Sequence, residues 1–127
     1  MYDKGRGVGQ SDAKAFEWYS KAAAQGDASA QTNLGVMYAN GRGVGQSDAK
    51  AFEWFSKAAA QGYASAQYNL GLMYANGLGV GQSDAKAFEW YSKAAAQGYA
   101  RAQTNLGVMY DNGQGVAQNY AKAFELY

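Results

Sequence analysis

An all-α fold built from stacked antiparallel helix pairs is predicted by three features of the 127-residue sequence. It repeats every 36 residues, its apolar residues recur at helical spacing within each repeat, and it is rich in Gly and Ala with no Pro. The period is visible at Asp12, Asp48 and Asp84, at Phe16, Phe52, Phe88 and Phe124, and at Trp18, Trp54 and Trp90. It recurs in Gly-x-Gly-Val from Gly5, Gly41, Gly77 and Gly113, and in Met-Tyr at Met1, Met37, Met73 and Met109. A unit this short cannot bury a core alone and must stack on its neighbours. The chain therefore divides into a partial unit 1–27, units 28–63 and 64–99, and a truncated unit 100–127, about three and a half in all.

Residues 64–98 give the clearest complete unit. Ala66, Leu70, Met73 and Tyr74 fall at i, i+4, i+7 and i+8, which predicts a first helix over 64–76. Asn76-Gly77 ends it, with Gly77 or Gly79 suited to the left-handed conformation of a helix C-terminus. Residues 77–82 read as a glycine-rich loop, with Val80 as the plug that ties it to the core. Ser83 or Asp84 can cap a second helix running to about Gln97. Its apolar stripe is Ala87, Trp90, Tyr91, Ala94 and Ala95, and Glu89 and Lys93 are spaced for an i,i+4 pair. Gly98 ends it, and the short turn that follows makes neighbouring helices antiparallel.

Gly35, Gly71 and Gly107 fall in mid-helix, where each costs about 1 kcal/mol against Ala. The repeated cost predicts close approach of a partner backbone. Trp, Tyr and Phe then fill the space between helix pairs, each able to bury about 150–250 Å².

These residues resemble the Sel-one-like repeat (SLR) family, relatives of the tetratricopeptide repeats. The matching pattern is Ala66-Gln67-Tyr68-Asn69-Leu70-Gly71, Met73-Tyr74, Gly77, Gly79-Val80, Asp84, Lys86-Ala87, Trp90-Tyr91, Lys93-Ala94-Ala95 and Gln97-Gly98, and it recurs along the whole chain. The resemblance implies an α/α solenoid curving into a right-handed superhelix, with adaptor function and no general catalytic residues. Many bacterial members are exported. Cysteine-rich members staple the two helices of a repeat at positions that match Gln67 and Ala95 here, so that disulfide is absent. Gly81 stands where the family loop often has Pro, which predicts a looser loop.

Composition excludes several functions. With no His and no Cys, thiol nucleophiles, imidazole bases and nearly all zinc or copper sites are ruled out. A net charge of +1 is too small for a nucleic-acid or anionic-membrane footprint. No window approaches a membrane span, and the first twenty residues lack the apolar run of a signal peptide. That leaves a soluble chain whose parent's compartment is open. The Gly-x-Gly-Val-Gly segments at Gly5–Gly9, Gly41–Gly45 and Gly77–Gly81 follow a helix and contain no Gly-Lys, so they read as connectors rather than phosphate loops. Glu17, Glu53, Glu89 and Glu125 occur once per repeat, which fits solvated faces paired with lysine better than an acid/base dyad. Trp18, Trp54 and Trp90 read as core before ligand platforms, with Trp18 the most exposed. No catalytic, cofactor or metal site is expected.

The candidate partner-binding residues come from the first helix of each unit. Positions 29, 33, 36 and 40 form a stripe opposite its core face, on what is expected to be the concave surface. The stripe presents Asn33, Asn69 and Asn105 as a ladder of amides for an extended peptide. The repeats differ at Tyr63 and Tyr99 (Asp27 in the first), at Tyr68 (Thr32 and Thr104) and at Arg101 (Ser29 and Ser65). Further differences are Ala39, Ala75 and Asp111, and Arg42, Leu78 and Gln114. Tyr and Arg are enriched at binding hot spots. The function expected is a non-catalytic scaffold holding a protein or peptide partner. The alternative is a structural or consensus-like array without ligand. Both ends fall inside a repeat and lack polar caps, which suggests a cut piece and head-to-tail association.

Overall fold

The computed structural model describes residues 8–126, with side chains from residue 12 onward. It contains seven helices: α1 (Val8–Ala24), α2 (Ala28–Asn40), α3 (Asp48–Ala60), α4 (Ala64–Asn76), α5 (Asp84–Ala96), α6 (Ala100–Asn112) and α7 (Tyr120–Leu126). Among the described residues there is no strand. Each helix packs on its neighbours in sequence, giving an α/α solenoid. α2, α4 and α6 are the first helices of their units, and α3, α5 and α7 the second. Met1-Tyr2, read as the end of a first helix, lies outside the described residues. α1 begins at Val8, inside the segment read as the Gly5–Gly9 loop. At the equivalent positions of later units, the loop is held off the helix by hydrogen bonds from Ser47 N–H to Tyr38 and from Ser83 N–H to Tyr74.

The helix ends follow local chemistry. α4 stops at Gly77, whose left-handed φ of 65° lets its N–H reach the Met73 carbonyl, joined there by the Leu78 N–H. Ser83, not Asp84, caps α5: its hydroxyl accepts from the Lys86 N–H at 3.2 Å. The loop between them is pinned less by Val80, which is half-buried, than by backbone. At Gly79 (φ +71°) a Cβ would collide with the Asp48 carbonyl of the preceding repeat. Gly81 stands in open space. The close backbone approach expected of this chain is therefore made in the loops.

The mid-helix glycines serve a different purpose. A Cβ on Gly71 would lie 2.6 Å from the Tyr91 ring, and one on Gly35 equally close to the Phe55 ring. These glycines are notches for an aromatic ring rather than for a partner backbone. α2 accordingly packs most extensively on α3, and α4 on α5. The buried aromatics are Phe55 (4% exposed) and Tyr91 (3%), packed with Ala51, Ala58, Ala87, Ala94, Leu70 and Leu106.

The tryptophans are displaced from the core position assigned to them. Trp54 and Trp90 are half-buried against the preceding layer, and Trp18 is 64% exposed. An indole is too large for the alanine-lined interior next to a ring already seated in the notch. Its outer face carries lysine instead: Lys21, Lys57 and Lys93 sit 5.1, 5.6 and 5.2 Å from Trp18, Trp54 and Trp90. Lys93 therefore makes no ion pair with Glu89. Glu17, Glu53, Glu89 and Glu125 are exposed, and among the described residues Glu125 meets a lysine, Lys122 at 3.9 Å, while the other three meet none.

A buried polar seam joins the layers. Gln31 and Gln67 are 5% exposed and donate to the Ala23 and Ala59 carbonyls at 3.2 and 3.3 Å. Their own amide oxygens accept from Gln61 and Gln97 at 2.9 and 3.0 Å. Each glutamine thus ties its helix to the helices before and after it, satisfying carbonyls left free at helix ends.

Gly71→Ala tests the notch. Alanine gains helix propensity, yet displacing a boxed-in ring costs more, so a net loss of about 1–2 kcal/mol is expected in urea denaturation. Gly81→Ala, with nothing within 4 Å of its Cβ, should stay within about 0.5 kcal/mol of the parent. A Gly71→Ala protein as stable as the parent would refute the notch.

Candidate functional site

Two open clefts lie between successive first helices, and they are copies of each other shifted by one 36-residue repeat. The upstream cleft, about 320 Å³, runs between α2 and α4. Its walls are Val36, Ala39 and Asn40 on one side and Asn69, Leu72 and Met73 on the other. Phe55 forms its floor, and Asp48 and Leu78 close its end. The downstream cleft, about 330 Å³, runs between α4 and α6, with Leu72, Ala75 and Asn76 facing Asn105, Val108 and Met109. Tyr91 is its floor, and Asp84 and Gln114 close its end. The floor of each cleft is thus the ring seated in the glycine notch.

Repetition keeps Asp and Asn in both clefts and changes what surrounds them. The upstream cleft is the more apolar. Its Asn69 amide has no hydrogen-bonding partner among the described residues, and Leu78 is 40% exposed. In the downstream cleft the Tyr91 hydroxyl hydrogen-bonds with the Asn105 side chain. Val108, 41% exposed, lies on its rim.

The aspartates are anchored from below. Asp48 and Asp84 begin α3 and α5 and accept from Gln46 and Gln82 at 2.8 and 2.7 Å. A carboxylate in a first helical turn is also favoured by the helix dipole. In the first unit the corresponding Asp12 has a different neighbour. Arg42, where the later units have Leu78 and Gln114, holds Asp12 at 3.0 Å.

The sequence-predicted residues fall into three groups. Asn69 and Asn105 line the two clefts, one in each, and the stripe that carries them contributes further wall residues at 36, 40, 72, 76 and 108. Asn33 occupies the same position on α2 and is half-buried. Tyr68 lies in an aromatic stack, 5.8 Å from Tyr91 and 5.3 Å from Tyr99, packed on the core and not among the lining residues. The equivalent pair one repeat earlier is Thr32 and Tyr63, so the change to Tyr68 is what creates the stack. Tyr63 has no such partner in the preceding unit, where Thr32 replaces Tyr68, and is 38% exposed at the start of α4. Arg101 is exposed on α6, one turn before Asn105 and outside the cleft lining.

Asp48, Asp84, Phe55 and Tyr91 were not among the candidates. The aspartates read as helix caps and the rings as core, which they also are. The usable signal was the Arg42, Leu78 and Gln114 variation, which marks the cleft end. Among the described residues no cluster of three or more His, Cys, Asp or Glu could hold a metal.

Burial pushes the Tyr91 hydroxyl above the ordinary tyrosine value of 10.0, opposed by its hydrogen bond with Asn105 and reinforced by Tyr68 and Asp84. A folded-state pKa above the unfolded one means that the folded chain holds this proton longer. The associated stability is intact below about pH 10 and is lost as pH rises toward the folded value. Of the 11 tyrosines, Tyr91 should therefore ionise late in an absorbance titration, and Tyr91→Phe should remove that late step and flatten the alkaline loss of stability. A Tyr91→Phe titration missing an early step instead would contradict this.

Comparison with known proteins accords with this architecture. The Sel1 repeat model matches residues 1–27, 28–63, 64–99 and 100–127. Among functionally curated proteins none matches the sequence. The structure is similar to c5321, a protective antigen of uropathogenic Escherichia coli strains with an SLR fold (TM-score 0.88, 46% identity, 91% of this chain and 25% of that one). It is also similar to a Sel1 repeat protein from Oxalobacter formigenes (TM-score 0.84, 38% identity, 91% of this chain and 47% of that one). Cysteine rich protein B of Helicobacter pylori is a more distant match (TM-score 0.71, 27% identity, 94% and 85% coverage). The chain thus spans a quarter of the first of these proteins and about half of the second. Four matched repeats covering the full sequence, on a solenoid of helix pairs, place the chain in the Sel1-repeat family.

Proposed function

We propose that this chain is a non-catalytic scaffold that holds an extended protein segment along the face formed by α2, α4 and α6, the expected concave surface. Sel1-repeat proteins generally act as protein-interaction scaffolds, and their fold is typically non-catalytic. The observation that carries the reading is the pair of clefts repeated at 36 residues, each with an asparagine on its wall and an exposed aliphatic side chain at its edge. Repeated clefts suit a ligand that is itself repetitive along its length, as an extended backbone is. The Asn69 amide, unpartnered among the described residues, can serve as both donor and acceptor to such a backbone. Recognition then comes from shape and spaced polar contacts, with Asn33, Asn69 and Asn105 as the ladder and Arg101 and Tyr63 as exposed flanking contacts. No helix among the described residues is long and apolar enough to cross a membrane.

A second reading is self-association of this chain through exposed aromatic side chains. Trp18 and Phe124 are 64% and 83% exposed, whereas Phe52 and Phe88 pack edge-on against Tyr74 and Tyr110 of the next helix. Sedimentation over a hundredfold concentration range separates the two. Mass that rises with concentration and falls back with Trp18→Ala supports stacking, and a constant monomer mass removes it.

Peptides selected on the immobilised chain test the scaffold reading. Asn69→Ala combined with Leu78→Ala should weaken their binding at least tenfold without loss of helical circular dichroism. Peptides unaffected by this pair, yet displaced by changes at Glu53 and Glu89 on α3 and α5, would overturn it.

A further inference from the structure

The two clefts have the same shape and different chemistry, and the first unit contains a model of how one of them is filled. There Arg42 lays its guanidinium on Asp12 at 3.0 Å, leaving only 17% of the aspartate side chain exposed. The backbone around this pair is repeated closely. Gly43, Gly79 and Gly115, each following the variable residue, press on the carbonyls of Asp12, Asp48 and Asp84 in the same way. Residues 42, 78 and 114 therefore stand at equivalent places beside their aspartates. In the later units Leu78 and Gln114 bring no cation, and no lysine or arginine among the described residues lies within 4 Å of Asp48 or Asp84. Asp48 shares its cleft with Val36, Asn40, Phe55, Asn69, Leu72 and Leu78. Asp84 shares its cleft with Leu72, Asn76, Asn105 and Val108, and gains two polar groups over the upstream cleft: the Tyr91 hydroxyl in place of Phe55 and Gln114 in place of Leu78.

Resting on the scaffold reading above, we propose that the ligand is a basic-apolar extended peptide. An arginine or lysine enters the α4–α6 cleft and pairs with Asp84 as Arg42 pairs with Asp12, while an aliphatic or aromatic side chain enters the α2–α4 cleft against Leu72 and Leu78. Charge complementarity selects the cation: the cleft supplies a carboxylate held in place by Gln82 and amide groups around it. A guanidinium meets a carboxylate with charge-assisted parallel hydrogen bonds, roughly twice as strong as those of a neutral donor. The two clefts are one repeat apart, so the basic and the apolar residue occupy separate positions along one extended peptide.

Selection of random linear nonapeptides on the immobilised full chain tests this, followed by affinity measurement of the enriched peptides. Enriched sequences should carry Arg or Lys together with an aliphatic or aromatic residue. Their affinity should fall at least tenfold with Asp84→Asn and be retained with Asp84→Glu. Gln114→Arg places the chain's own guanidinium beside Asp84 at an exposed site and should block binding equally, with helical circular dichroism unchanged. Replacement of the peptide's arginine by citrulline should reproduce the loss. Neutral or acidic peptides that are weakened by the Asn69→Ala, Leu78→Ala pair would overturn the basic ligand while leaving the scaffold reading standing. Basic peptides indifferent to Asp84→Asn and Gln114→Arg would overturn it as well. Failure to enrich any peptide, or enrichment only of peptides insensitive to the Asn69→Ala, Leu78→Ala pair, would overturn both.

Discussion

The seating of an aromatic ring against a mid-helix glycine is the contact on which the rest of the structure depends. Phe55 against Gly35 and Tyr91 against Gly71 set how closely α2 meets α3 and α4 meets α5. With the ring filling the notch, only small residues fit beside it, which accounts for Ala51, Ala58, Ala87 and Ala94 at zero exposure. The same ring is the floor of a cleft on the other side. Packing and the cleft proposed for recognition thus meet at one residue position. A glycine that costs helix propensity locally permits the burial of a whole aromatic side chain, a far larger contribution.

Two further devices turn pairs into a continuous stack. The glutamine seam links Ala23, Gln31 and Gln61, and then Ala59, Gln67 and Gln97, so that each layer satisfies carbonyls of the one before. The loop glycines let each loop rest on the start of the previous second helix. Both act between repeats. A unit with none of its neighbours would leave Gln67 without its acceptor at Ala59 and Gly79 without the backbone it packs on. Repeat proteins of this kind derive stability from nearest-neighbour interfaces, and here those interfaces are partly polar.

Periodicity made the helices legible, because a 36-residue repeat shows the same apolar spacing several times over. The span 64–76 coincides with α4 for that reason. The partner of Gly71 was not legible: a sequence marks a small residue without saying whether a ring or a backbone fills the space. Trp90 misled because size suggests core, whereas its edge position follows from Tyr91 already occupying the notch. The asparagine stripe was readable as a helical face, but the aspartates at the cleft ends were not. Asp84 comes from the following helix, and its neighbour Gln114 from a loop 30 residues further on. Tyr68 shows the converse, a variable residue that looks like a contact and is instead half of a stack with Tyr99.

The central claim is that the rings seated in the glycine notches support a repeating recognition surface. A crystal structure of the chain with a selected peptide tests it most directly. The account predicts an extended peptide crossing α2, α4 and α6, with one side chain above Phe55 and the next inserted residue above Tyr91. A peptide lying along α3 and α5, or bound only at the Trp18 or Phe124 end, would contradict it.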